Sequence, residues 1–95
     1  MIQSLLRLYI AGNSASSRRA EHNLEHLRKF MNAEGWKIEV IDVLARPELA
    51  EEASILATPT LSYEYSGRPR RIVGDLSDTK RVLKFLGIEP KGDAA

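Results

Sequence analysis

Cysteine is absent from this 95-residue chain. That absence excludes disulfides, thiolate metal ligands and dithiol redox chemistry. A dominant charge is missing too. Fourteen Lys and Arg stand against thirteen Asp and Glu, for a formal balance of +1. So small an excess gives no electrostatic reason to expect nucleic acid or an anionic membrane as a partner. No apolar run approaches the roughly 18 residues of a membrane span. The first apolar stretch is short and no small-residue cleavage site follows it, so no secretion signal is expected and the cytoplasm is the expected location. Aromatics make up 6% of residues, and the strands show no row of them on which bases could stack. What is present is a 43% apolar content, enough for the core of one small domain over residues 1–95.

The apolar residues fall into recognisable periods. Leu5 to Ala11 is a nearly continuous apolar run, as in a strand buried on both faces. Gly12-Asn13-Ser14 breaks it. Ala20, Leu24, Leu27 and Met31 then form one stripe of a helix from Ala15 to Ala33, capped by Ser14, Ser16 or Ser17 and stopped by Gly35. Trp36 to Val43 alternates before turning apolar, as in a second strand. Pro47 opens a short helix with Glu48, Glu51 and Glu52 toward its positive end and Leu49, Ala50 and Ala53 inward. Thr60–Tyr65 and Arg70–Val73 read as a hairpin around a Ser66–Pro69 turn. A last helix runs from Ser77 to Leu86, with Val82, Leu83 and Leu86 inward and Gly87 as its stop. Residues 89–95 are expected to fray. The order βαβαββα, with a parallel crossover followed by a hairpin, predicts an α/β thioredoxin-like fold with a four-stranded mixed sheet.

Five segments, in order and spread over nearly the whole chain, resemble the KaiB family, small proteins of the cyanobacterial circadian clock and their bacterial relatives. They are Leu8–Ser14, Val40–Leu44, Pro47–Glu52, Ile55–Leu61 and Arg70–Ser77. The resemblance implies a non-enzymatic protein without cofactors that binds the ATPase KaiC, in clock systems also KaiA, and competes there with a thioredoxin-like sensor-kinase domain. It also implies two accessible folds: a tetrameric ground state ending in a strand, and the thioredoxin-like state that binds KaiC. Gly87 and Pro90 interrupt the segment that would have to become the closing strand. The thioredoxin-like state is therefore the expected resting form. Glu39 stands where clock members carry a basic residue, which counts against KaiA as a partner. Self-association stays open.

Several residues have both a sharp and a plain reading. The Thr58–Pro59 bond has a candidate role as a cis proline shaping the binding face. The plain alternative is a trans proline opening a strand. The loop from Gly12 to Ser17 takes the place of a dithiol motif. It turns the chain and caps a helix, or, with Arg18 and Arg19, binds an anion or glutathione. Trp36, Lys37 and Glu39 lie on an expected edge strand where a partner can dock. Arg68, Arg70 and Arg71 either keep an exposed hairpin soluble or meet carboxylates of a partner. Asp42 and Asp75 end strands as catalytic or metal-binding acids do in some α/β folds, with nothing gathered around them in sequence. His22 and His26, four apart on the first helix, have the spacing of a metal pair but lie off the apolar stripe, as a solvated face would. Two further functions remain beside ATPase binding: a glutathione-binding, transferase-like domain, and a sensory adaptor for a signalling kinase.

Overall fold

The computed structural model describes residues 4–31, 35–65 and 67–88. The first apolar run forms strand β1 (Ser4–Ile10), and the amphipathic stripe forms helix α1 (Ala15–Leu27). Then come β2 (Trp36–Asp42), α2 (Pro47–Glu52), β3 (Thr60–Tyr65), β4 (Arg68–Val73) and α3 (Thr79–Leu86). The strands lie in the order β2-β1-β3-β4. β1 pairs in parallel with β2 and antiparallel with β3, and β3 pairs antiparallel with β4. The fold is α/β and thioredoxin-like, with β2 at one edge and β4 at the other.

Register sorts the side chains. Leu8 faces Val40 on one side and Leu61 on the other, and Leu61 faces Ile72. Residues paired in this way share a sheet face. Leu6, Leu8, Ile10, Leu61 and Ile72 join Ala20, Leu24 and Leu27 of α1 and Val82, Leu83 and Leu86 of α3 in the core. Helices α1 and α3 therefore cover this face. The opposite face carries Arg7, Tyr9, Lys37, Glu39 and Arg71. There Arg71 donates to the Ala53 carbonyl at the end of α2, which puts α2 on that side. α2 buries no residue fully, and Leu49, Ala50 and Ala53 are half-buried.

The structure corrects four expectations. The first strand is not buried on both faces throughout: Tyr9 is 1% exposed, but Leu5 and Arg7 are half-buried because α2 is short. The first helix does not continue as an α-helix to Ala33. Its last turn tightens into a 3₁₀ segment, Arg28–Phe30, and Met31 is extended, its N–H donating to Arg28 three residues back at 3.1 Å. The fourth strand begins at Arg68, with Pro69 inside it. An edge strand tolerates a proline because one side of its backbone needs no ladder bond. The last helix begins at Thr79, because Asp78, not Ser77, caps it by accepting from the Arg81 N–H at 3.2 Å.

Three left-handed backbone positions shape the ends. Gly12 has φ of +58°, and a Cβ there would sit 3.1 Å from Leu44 Cδ1. Gly87 has φ of +75° and closes α3, with the Ile88 N–H reaching the Leu83 carbonyl at 2.9 Å. Leu76 adopts φ of +65° without being glycine, while its side chain is 4% exposed in the core. The expected end of the first helix at Ala33, Ser66 of the hairpin turn, Pro90 and the expected frayed tail lie outside the described residues.

Leu83 anchors α3 and is 1% exposed, whereas Leu56 is 98% exposed. Urea unfolding is expected to show Leu83→Ala losing about 2–5 kcal/mol and Leu56→Ala changing stability by less than about 0.5 kcal/mol.

Candidate protein-binding surface

Four loops meet at the end of the sheet where β1, β2 and β4 finish and β3 begins. The carboxylate of Asp42 ties two of them together. Its Oδ1 accepts from the Gly12 N–H at 3.0 Å and the Leu44 N–H at 2.9 Å. These bonds, Gly12 first, hold the Asp42 carboxyl below the usual aspartate range. Asp75 ties the β4–α3 loop to α1. It accepts from the Ser77 N–H at 3.1 Å and from Arg19 Nε at 3.0 Å, while its carbonyl accepts from Asn23 Nδ2 at 2.8 Å. Contacts with Ser77, then Arg19, lower its pKa as well. The Gly74 N–H donates to the Pro59 carbonyl at 2.9 Å, closing the remaining pair of loops. The Thr58–Pro59 peptide bond is cis, and Pro59 is buried.

The serines of the first loop serve the backbone. Ser14 caps α1, its Oγ accepting from the Ser17 N–H at 3.3 Å and its hydroxyl donating to Ser17 Oγ at 2.8 Å. Ser17 is fully buried and also accepts from the Ala11 N–H at 3.0 Å. Ser16 is half-buried, Arg18 is exposed, and Arg19 is engaged by Asp75. His22 and His26 are exposed on α1, and among the described residues no group of three or more His, Asp and Glu gathers to hold a metal. Asp42 and Asp75 are loop staples.

Around this fastened end stand apolar side chains with little cover. Leu56 is 98% exposed, Leu44 71% and Val73 57%. Sequence periodicity missed them, because Leu44 and Leu56 fall in breaks between elements, where no apolar face is scored.

The six candidate residues on strands do not form one site. Pleating sends Trp36, Arg68 and Arg70 to the face of α1 and α3, and Lys37, Glu39 and Arg71 to the face of α2. Trp36 packs against the core, 5.4 Å from the Tyr63 ring. Tyr63 meets Phe85 edge-on at 6.1 Å, and the Arg70 guanidinium lies 5.5 Å from the centre of the Phe85 ring. On the other face Arg7 Nε donates to Glu39 Oε1 at 2.8 Å, and Lys37 Nζ is 4.0 Å from Glu39. The Glu39 bond raises the Arg7 pKa.

Residues 7–88 match the family model described as the KaiB domain. The chain belongs to the KaiB family. It is 41% identical to the circadian clock protein KaiB3 of Synechocystis over 97% of this chain and 90% of that protein. It is 48% identical to the circadian clock oscillator protein KaiB of Acaryochloris marina, over 88% of this chain and 81% of that one. Its fold is also that of thioredoxins. Mitochondrial thioredoxin 3 of Saccharomyces cerevisiae matches with a TM-score of 0.75 at 19% identity, over 90% of this chain and 77% of that one. Fasciola hepatica thioredoxin matches with a TM-score of 0.74 at 20% identity, over 92% of this chain and 82% of that one. At such identities the likeness concerns the fold alone. Within this KaiB domain no helix among the described residues is long and apolar enough to cross a membrane.

The Asp42 staple has a pH signature. Its folded pKa is depressed, so its contribution is complete above the ordinary aspartate value and is lost as pH falls through the folded value. Asp42→Asn keeps an acceptor but not the charge. Thermal melts from about pH 7 down to about pH 3 are expected to show a lower Tm for the variant at neutral pH, with the gap closing toward acid.

Proposed function

We propose that this KaiB-family protein works without chemistry of its own, docking reversibly on a KaiC-type ATPase ring in a clock, timer or stress-response system. One observation carries the reading: KaiB-domain similarity spans residues 7–88, and the relatives with 41–49% identity bear circadian clock names. Two structural features support it. The loop that replaces a dithiol site has two of its hydroxyls, on Ser14 and Ser17, committed to a helix cap. The adjoining end of the sheet presents Leu44, Leu56 and Val73 on a frame held by Asp42 and Asp75, and apolar side chains on a rigid frame suit protein contact.

KaiA lies outside the proposal. Glu39 sets an acid on the edge strand and shares it with Arg7 and Lys37. Trp36, Lys37, Glu39, Arg68, Arg70 and Arg71 remain proposed contacts for a protein partner, divided between two faces and not part of the end of the sheet that presents Leu44, Leu56 and Val73.

Purified protein mixed with a KaiC-type ATPase from the same cells, with ATP or ADP, is expected to co-elute with the ring on size exclusion. Leu56→Asp should weaken that association about tenfold or more, as loss of a central apolar contact does, while leaving the melting curve unchanged. Elution as free chain with either nucleotide would overturn the reading.

A further inference from the structure

A different surface lies at the opposite end of the sheet. β4 starts there and α3 finishes there, so strand residues of β3 and β4 and the C-terminus of α3 line a groove of about 320 Å³. Tyr63 and Phe85 form its floor, and Arg68, Arg70 and Lys84 line it with no acid among the lining residues. The five ion pairs among the described residues engage Arg7, Arg19, Arg28, Lys37 and Arg46, and none engages these three cations. α3 carries no acid over Thr79–Leu86; its Lys80 and Arg81 stand in the first turn, at the other end of the helix, and take no part in the groove. The acidic Glu48, Glu51 and Glu52 lie on α2, across the sheet. A chain with a balance of +1 thus concentrates positive charge at one groove.

We infer that this groove binds an acidic linear segment of a partner protein, with carboxylates held by Arg68, Arg70 and Lys84 above the Tyr63–Phe85 floor. Geometry decides between carboxylates and nucleobases. A base needs an open ring face for stacking. Here the Tyr63 and Phe85 rings meet edge-on at 69°, and Arg70 covers a Phe85 face at 5.5 Å. The cation–π contact uses the charge of Arg70 but none of its N–H donors, and no ion pair among the described residues engages them, so they can meet a carboxylate. The inference concerns the far end of the molecule and does not depend on the ATPase reading.

The test uses the full chain and a fluorescein-labelled peptide alternating Glu with Leu and Tyr, followed by polarisation and by amide NMR. Saturable binding that weakens with salt is expected, with shifts at Tyr63, Arg70, Phe85 and Gly87. Arg70→Gln and Lys84→Gln, both exposed positions, should each lower affinity about tenfold. Leu56→Asp, at the other end, should leave it unchanged. A Lys-for-Glu peptide should not bind. A flat titration, affinity indifferent to both substitutions, or tighter binding of a single-stranded oligonucleotide at the same residues would each overturn the inference.

Discussion

The double pairing of β1 is the constraint on which the rest of the molecule depends. This strand takes a parallel partner on one side and an antiparallel partner on the other, with Leu6 and Leu8 fully buried between them. A slip by one residue would send Leu6, Leu8 and Ile10 to the thin α2 side and bring Arg7 into the core. Burying an unpaired guanidinium costs far more than a shifted register can return. Register is therefore strongly specified, and through β3 it specifies β4. The same pleat decides which polar residues share a neighbourhood: Arg68 and Arg70 go one way, and Arg71 the other.

Loop order at the sheet's fastened end depends on two carboxylates. Asp42 and Asp75 were candidates for chemistry by their positions at strand ends. Both turn out to accept backbone N–H groups from loops that would otherwise leave those donors to solvent. A carboxylate is suited to this because it is acceptor-only and offers several lone-pair directions. The positive φ of Leu76 belongs to the same economy. A strained backbone is tolerated where a large side chain gains burial and the preceding residue, Asp75, is pinned by Asn23 and Arg19.

Much of this architecture was legible in the sequence because it rests on period. The stripes of α1 and α3 point inward as their spacing predicts, and Ala20, Leu24, Leu27, Val82, Leu83 and Leu86 are all buried. The order of elements and the edge position of β2 follow from the same reading. Ends were less legible. The start of α3 depends on a local choice between adjacent residues: Asp75 accepts from the Ser77 N–H in the turn, and Asp78 is left to cap the helix. The end of α1 turns on a tightening of its last turn that no composition signal marks. The candidate surfaces were half legible. Arg68, Arg70 and Arg71 stood out as a cluster, but adjacent residues point to opposite faces of a strand, so Arg71 parts from the other two. Phe85 and Tyr63, which give Arg70 its setting, are 22 residues apart in the chain and meet only when α3 folds back along the hairpin.

That folding back has a consequence for how the two ends differ. At the loop end, apolar side chains stand on a frame of backbone hydrogen bonds, so contact there depends on burying area and is weakly sensitive to salt. At the α3 end, Arg70 stands over the Phe85 ring with Arg68 and Lys84 beside it, so contact depends on Coulomb attraction and is screened by ions. Both surfaces require α3 to lie helical against the sheet. Asp75 and Leu76, which lead into α3, brace the first, while Phe85 and Lys84 from its last turns build the second. Undocking this one helix would therefore dismantle both ends together, and any ligand that holds either end would favour the docked helix by its own binding free energy.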